Sequence, residues 1–149
     1  MSCSVLSDLT IFDLLALLVA ALSAVYARWS WSEAKRANTI SLLGHKKSIY
    51  DGFFHLKMHM TSKRRFAEPG EVSKFYYHAQ NARIYLPADL ASVIEKYFDA
   101  CFWIADTHKR DGGLTNENSS DFEPHLKTID DLGPKIDEKF LELLQAAGT

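Results

Sequence analysis

Residues Leu14–Leu22 read LLALLVAAL, nine consecutive positions with no polar atom in any side chain. A helix that is apolar on every side is buried either in a large protein core or in lipid. Extending the segment to Leu9–Trp31 gives 23 residues, or about 34 Å at 1.5 Å per residue. This length matches the hydrocarbon core of a bilayer, which is roughly 30 Å thick. The sequence therefore predicts a transmembrane helix over residues 9–31.

The C-terminal end of this segment has the composition of a membrane interface. Aromatic residues cluster there, as in the aromatic belts of membrane proteins, and basic residues follow at once. The predicted interface residues are Tyr26, Arg28, Trp29, Trp31, Lys35 and Arg36. Because basic flanks stay in the cytoplasm, we expect a single-pass protein of the inner (cytoplasmic) membrane. Residues 1–8 would form a short extracytoplasmic N-terminus and residues 32–149 a cytoplasmic helical domain.

Two alternatives to a membrane anchor remain open. Asp13 interrupts the apolar segment, and the uninterrupted part, residues 14–27, has only 14 residues. This length also suits a buried core helix or the apolar region of a cleaved signal peptide. A signal peptide should begin with basic residues, whereas Asp8 and Asp13 make this N-terminus acidic.

The composition excludes several classes of protein. The chain has 149 residues, of which 47% are hydrophobic and 24% charged, so it is too apolar to be disordered. Its net charge of −2 gives no overall basic excess, and we predict no nucleic-acid partner. Two cysteines, Cys3 and Cys101, are too few for a disulfide framework or a Cys-rich zinc site.

Charge is distributed unevenly along the chain. Residues 28–66 contain nine basic and two acidic side chains, a net +7, whereas residues 111–149 contain three basic and nine acidic ones, a net −6. Each segment also carries an apolar stripe that must be buried. We therefore predict that the acidic C-terminal helix packs against the basic continuation of the apolar helix.

Apolar residues recur at intervals of three, four and seven, which is the period of a helix. Three stripes follow this pattern: Leu42, Ile49, Phe53, Leu56 and Met60; Leu90, Ile94, Tyr97, Cys101, Ile104 and His108; Phe122, Leu126, Ile129, Leu132, Ile136, Phe140 and Leu143. No stretch alternates as a strand would. The predicted fold class is all-α, a transmembrane helix that continues into a small helical bundle.

Helix boundaries follow from breakers and caps. Glu68-Pro69-Gly70 should end the first helix, and a short helix should follow over Val72–Ala82. Pro87 suits the first position of the next helix, which Gly112-Gly113 should end. Ser120 and Glu123 form a capping box. The last helix should continue across Gly133-Pro134 with a kink.

Asp51, His55 and His59 lie four residues apart and share one face of a helix. Imidazole and carboxylate groups at this spacing can bind zinc or iron. However, Lys47 and Lys63 extend the same face, and HEXXH is absent. A solvated face with a Lys47–Asp51 pair is the simpler interpretation. We predict no cofactor.

Cys101 lies on an apolar stripe, where a cysteine is typically a small core residue. His108 is seven residues away, about 10 Å along a helix, so the two cannot form a catalytic dyad within that helix. The basic run Lys63-Arg64-Arg65 is typical of an orientation signal or of contact with anionic lipid.

Two segments, HKKSIYDGFFHLKMHM and FYYHAQNARIYLPADLASVIEKYF, follow the apolar helix. In this order they resemble a diffuse group of uncharacterised bacterial single-pass membrane-anchored helical proteins, over about residues 10–105. The resemblance implies an anchored helical domain and no activity.

The leading hypothesis is a non-enzymatic membrane protein whose partners are the lipid bilayer and either another protein or its own copies. The alternatives are a metal-dependent enzyme using His55 and His59, and a membrane-acting effector that assembles through the apolar helix.

Overall fold

The computed structural model describes residues 3–110 and 119–146, with side chains given for 11–110 and 121–146. The described residues form the α-helices α1 (Cys3–Lys63), α2 (Pro69–Ser73), α3 (Tyr76–Tyr85), α4 (Ala88–Arg110) and α5 (Ser119–Ala146). A 3-10 turn, Arg64–Phe66, follows α1. No described residue lies in a strand, which confirms the all-α prediction for this part of the chain.

Helix α1 runs without a break for 61 residues, as the continuous helical pattern and the absence of proline predicted. It ends at Lys63, before the predicted breaker Glu68-Pro69-Gly70. Arg64 adopts a left-handed conformation with φ of 46°. This conformation costs a non-glycine residue roughly 1–2 kcal/mol, and it stops the helix.

The chain divides into two compact units, residues 1–41 and residues 42–149. The first unit contains the apolar part of α1, which is long and apolar enough to cross a membrane by length and composition. None of this apolar part of α1 is buried. The second unit begins at Leu42, ten residues after the predicted domain start at residue 32.

The core of the second unit forms where α1, α4 and α5 bring their apolar stripes together. Phe53 of α1 is its centre: its ring lies 5.2 Å from that of Tyr97 and 6.3 Å from that of Phe140. All three side chains are fully buried. Each predicted stripe residue is buried or half-buried except Leu42, which is exposed because the core begins about two helical turns later, at Ile49.

The predicted pairing of the basic and acidic segments is observed. Lys57 binds Asp137, Arg64 binds Asp130 with 2.9 Å between Nη2 and Oδ2, and Arg65 binds Glu123. The residue numbers rise on one partner as they fall on the other, so α5 runs antiparallel to the end of α1. Helix α5 also continues through Pro134, as predicted.

Three predicted boundaries need correction. The single helix over Val72–Ala82 is wrong: α2 ends at Ser73 and α3 begins at Tyr76. The Phe75 N–H donates to the Val72 carbonyl, three residues back, at 3.1 Å. This tight turn coincides with a buried Phe75 ring, edge-on to Phe53 at 6.5 Å.

The other two corrections concern helix starts. Pro87 immediately precedes α4, and its carbonyl accepts the first bond of that helix from the Ala91 N–H at 2.9 Å. Ser120 lies inside α5, which begins at Ser119, and the carboxylate of Glu123 accepts a hydrogen bond from Arg65. The predicted Gly112-Gly113 end lies outside the described residues.

Candidate functional site

The predicted membrane-interface residues all lie on the surface of α1. Tyr26, Trp29 and Trp31 have 73%, 74% and 69% of their surface exposed. The basic members of the group, Arg28, Lys35 and Arg36, are exposed as well. The Lys35 ammonium lies 5.8 Å from the centre of the Trp31 ring, a cation–π contact. The structure therefore gives this segment a free surface that is both aromatic and basic.

Only two of the three predicted metal candidates line the same cavity. His55 and His59 line one cavity of about 210 Å³, whereas Asp51 is exposed and is not among its lining residues. His59 Nε2 accepts a hydrogen bond from the Glu68 N–H at 3.1 Å, so one ring nitrogen is already engaged. Within the described part of the chain, no group of three His, Cys, Asp or Glu side chains could hold a metal ion.

The same cavity contains polar residues that sequence spacing did not place there. His78 lines it from α3, Glu71 lines it from α2, and Lys74 lines it from the position just after α2. The Lys74 ammonium lies 2.7 Å from both Glu71 carboxylate oxygens. This hydrogen bond lowers the pKa of Glu71, with a smaller contribution from the charge of Lys74. These two residues therefore neutralise each other.

Gly52 of α1 packs directly against the His78 ring. A Cβ on Gly52 would lie 2.6 Å from His78 Cδ2 and 2.8 Å from Cγ. The His78 ring also stacks on Phe75, with 5.9 Å between ring centres. His78 is thus a packing residue between α1 and α3, and the signal that could have indicated this is a glycine inside a long helix.

The predicted Lys47–Asp51 ion pair is absent. Both side chains are exposed, and among the described residues neither has an oppositely charged group within 4.0 Å. An exposed pair of this kind stabilises a helix by only about 0.3–0.5 kcal/mol, which does not fix two long side chains in one geometry.

Cys101 is a packing residue, as predicted. Its side chain is completely buried, and burial raises the pKa of the thiol. Burial also raises the pKa of its neighbour Tyr97. Because the nucleophile is the thiolate, this environment opposes covalent catalysis at Cys101.

An aromatic patch is exposed where α3 meets α4. It consists of Tyr76, Phe98 and Phe102, whose rings follow one another at 6.1 Å and 6.0 Å. Phe98 is buried, but Tyr76 and Phe102 are 57% and 43% exposed. Helical periodicity could not predict this patch, because its members come from two elements.

Comparison with family models, with curated proteins and with solved structures found no match to this chain.

Proposed function

We propose that this chain is a non-enzymatic single-pass membrane protein whose helical domain binds another protein or further copies of itself. One observation carries the proposal: the apolar part of α1 is entirely exposed. Burial of apolar surface is worth roughly 25 cal/mol per Å². A segment such as Leu14–Leu22, with no apolar neighbour of its own, therefore needs an apolar environment, and a bilayer provides one.

The basic flank supports the inner membrane as the location, with residues 32–149 in the cytoplasm. The resemblance to bacterial membrane-anchored helical proteins agrees with this arrangement and adds no activity to it.

The aromatic patch supports the protein-binding part of the proposal. Tyr and Phe are enriched at the buried centres of protein interfaces. In the helical domain, Tyr76 and Phe102 are exposed beside the buried Phe98 ring, so a partner could cover both without rearranging the core.

Small residues favour the alternative of a membrane-acting effector that assembles through the apolar helix. They recur on α1 at intervals of four and three, on one face, as Ala16, Ala20, Ser23, Ala27 and Ser30. Small residues on one face let two helix backbones approach closely in lipid. Energy transfer between labelled copies in vesicles should therefore fall in Ala20→Ile and persist in the off-stripe control Ala21→Ile.

The anchor is tested by fractionation of the full-length protein. It should remain in membranes after an alkaline carbonate wash, and a truncated protein beginning at Ala34 should be soluble and helical. The membrane-bound chain should keep residues 1–31, because cleavage of a signal peptide would remove them. Full-length protein that is soluble without detergent would refute the proposal.

The alternative of a metal-dependent enzyme rests on His55 and His59, which line one cavity. Elemental analysis of the purified protein distinguishes the two. Stoichiometric zinc or iron that is lost in His55→Ala would support the enzyme, and its absence would support the binding protein.

A further inference from the structure

Six of the nine basic residues over residues 28–66 fall into two groups with different partners. The other three, Lys46, Lys47 and Lys63, have no ion-pair partner within 4.0 Å among the described residues. Lys57, Arg64 and Arg65 all bind carboxylates of α5. Arg28, Lys35 and Arg36 have no ion-pair partner within 4.0 Å among the described residues. Among the described residues of the segment 28–66, therefore, ion pairs with α5 form only at the C-terminal end.

The unpaired group surrounds the predicted interface tryptophans. Lys35 and Arg36 follow Trp31 by four and five residues, or about 6 Å and 7.5 Å along the helix, and Arg28 precedes it by about 4.5 Å. The Debye length at physiological ionic strength is about 8 Å. If Trp31 lies at the headgroup level, all three charges lie within one Debye length of that headgroup layer, so physiological salt screens their attraction only in part.

Only one acidic residue accompanies them. Glu33 leaves a net charge of +2 over residues 28–36, and Lys35 is held over the Trp31 ring by its cation–π contact. A basic side chain near an acidic membrane surface gains about 1 kcal/mol, which corresponds to roughly a fivefold change in affinity.

We infer that Arg28, Lys35 and Arg36 form a binding surface for anionic phospholipid headgroups. This inference rests on the proposed membrane anchor and specifies the lipid that surrounds it. The ligand is the net negative headgroup of an anionic lipid in the leaflet that contains the basic flank.

The test uses full-length protein with Trp103→Phe, so that only Trp29 and Trp31 fluoresce. The protein is reconstituted in vesicles of phosphatidylcholine and phosphatidylglycerol at 3:1, in which either lipid carries brominated acyl chains that quench tryptophan. We expect the relative affinity for phosphatidylglycerol to be about fivefold or more. It should fall towards one in the triple variant Arg28→Gln, Lys35→Gln, Arg36→Gln, and in wild-type protein at 1 M salt.

Lys46→Gln with Lys47→Gln is the charge control, because these lysines lie 15 and 16 residues after Trp31 and belong to the other compact unit. The control should keep the preference for phosphatidylglycerol. Equal quenching by both lipids in wild-type protein would overturn the inference and leave the anchor intact. So would a preference that survives in the triple variant, or one that the control also loses. Absence of quenching by either lipid would refute the anchor itself.

Discussion

At the scale of single residues, the contact between Gly52 and His78 determines how closely α1 and α3 approach. Glycine inside a helix costs about 1 kcal/mol relative to alanine. The second unit contains a matched pair of such glycines: Gly52 faces the His78 ring, and Gly44 has nothing within 4 Å of a Cβ position. Replacing glycine with alanine therefore tests side-chain packing at position 52 and helix propensity at position 44.

We predict that Gly52→Ala lowers the free energy of unfolding by about 1 kcal/mol, because overpacking costs about 1–3 kcal/mol and exceeds the gain in helix propensity. Gly44→Ala should raise it by about 0.5–1 kcal/mol. Urea unfolding of the protein beginning at Ala34 measures both. Stabilisation by Gly52→Ala would show that His78 moves aside without cost.

Cys101 predicts a dependence on alkaline pH. Its pKa is raised in the folded state, whereas an unfolded thiol titrates near 8.5. Above that pH the unfolded chain loses a proton that the folded chain keeps, so stability is complete below about pH 8.5 and declines as pH rises. The slope is about 1.4 kcal/mol per pH unit.

Cys101→Ala should cost about 1 kcal/mol at pH 7, because a buried group is removed, and should then lose less stability than wild-type protein as pH rises. Urea unfolding from pH 7 to pH 10 should show the difference in unfolding free energy between the two proteins disappearing at about pH 9 and reversing by about pH 10. A constant difference would contradict a raised thiol pKa. Loss of cellular function at unchanged stability would instead indicate a nucleophile.

At the scale of helices, the apolar stripes could be predicted because burial has the same period as the helix. The stripe through Ile49 and Met60 is buried, and so is the stripe through Phe122 and Phe140. The break between α2 and α3 could not be predicted, because Phe75 fits a helical pattern equally well. Its turn is favoured by contacts with Phe53 and Phe98, which are remote in sequence.

Helix α5 should be integral to the domain. Phe140 is completely buried and contacts both Tyr50 and Phe53, so Phe140→Asp should unfold the domain by placing a carboxylate in the core. Glu142 is exposed, and Glu142→Lys should change stability by less than about 0.5 kcal/mol.

Hydrogen exchange on the soluble protein provides an independent check of this prediction. Amides of residues 126–143 should be protected. Exchange at unprotected rates would mean that the acidic helix binds only when a basic partner is present.

At the scale of the whole molecule, the proposed orientation predicts which cysteines can be labelled from outside the cell. A membrane-impermeant thiol reagent on intact cells should label Cys3 more readily than an engineered cysteine at Ser119, because residues 1–8 would lie outside. Cys101 should not contribute, since it is buried. Stronger labelling at position 119 would reverse the orientation and contradict the cytoplasmic location.

The sequence allowed the fold class to be predicted more fully than the sites. Charge and periodicity were sufficient to pair α1 with α5, because both are properties of long segments. The surroundings of His55 and His59 were not predictable, because Glu71, Lys74 and His78 reach that cavity through the turn at Phe75. The missing Lys47–Asp51 pair shows the same limit, since spacing permits a weak contact without requiring it.

The pairing of Lys57 with Asp137 spans 80 residues of sequence, and this separation has a consequence in time. At about 5–20 residues per second, a ribosome needs about 4–16 s to progress from one partner to the other. During that interval the apolar stripe of Ile49, Phe53, Leu56 and Met60 has no α5 to cover it. Newly made chains should therefore be most vulnerable to proteases and most dependent on chaperones just before the last helix leaves the ribosome.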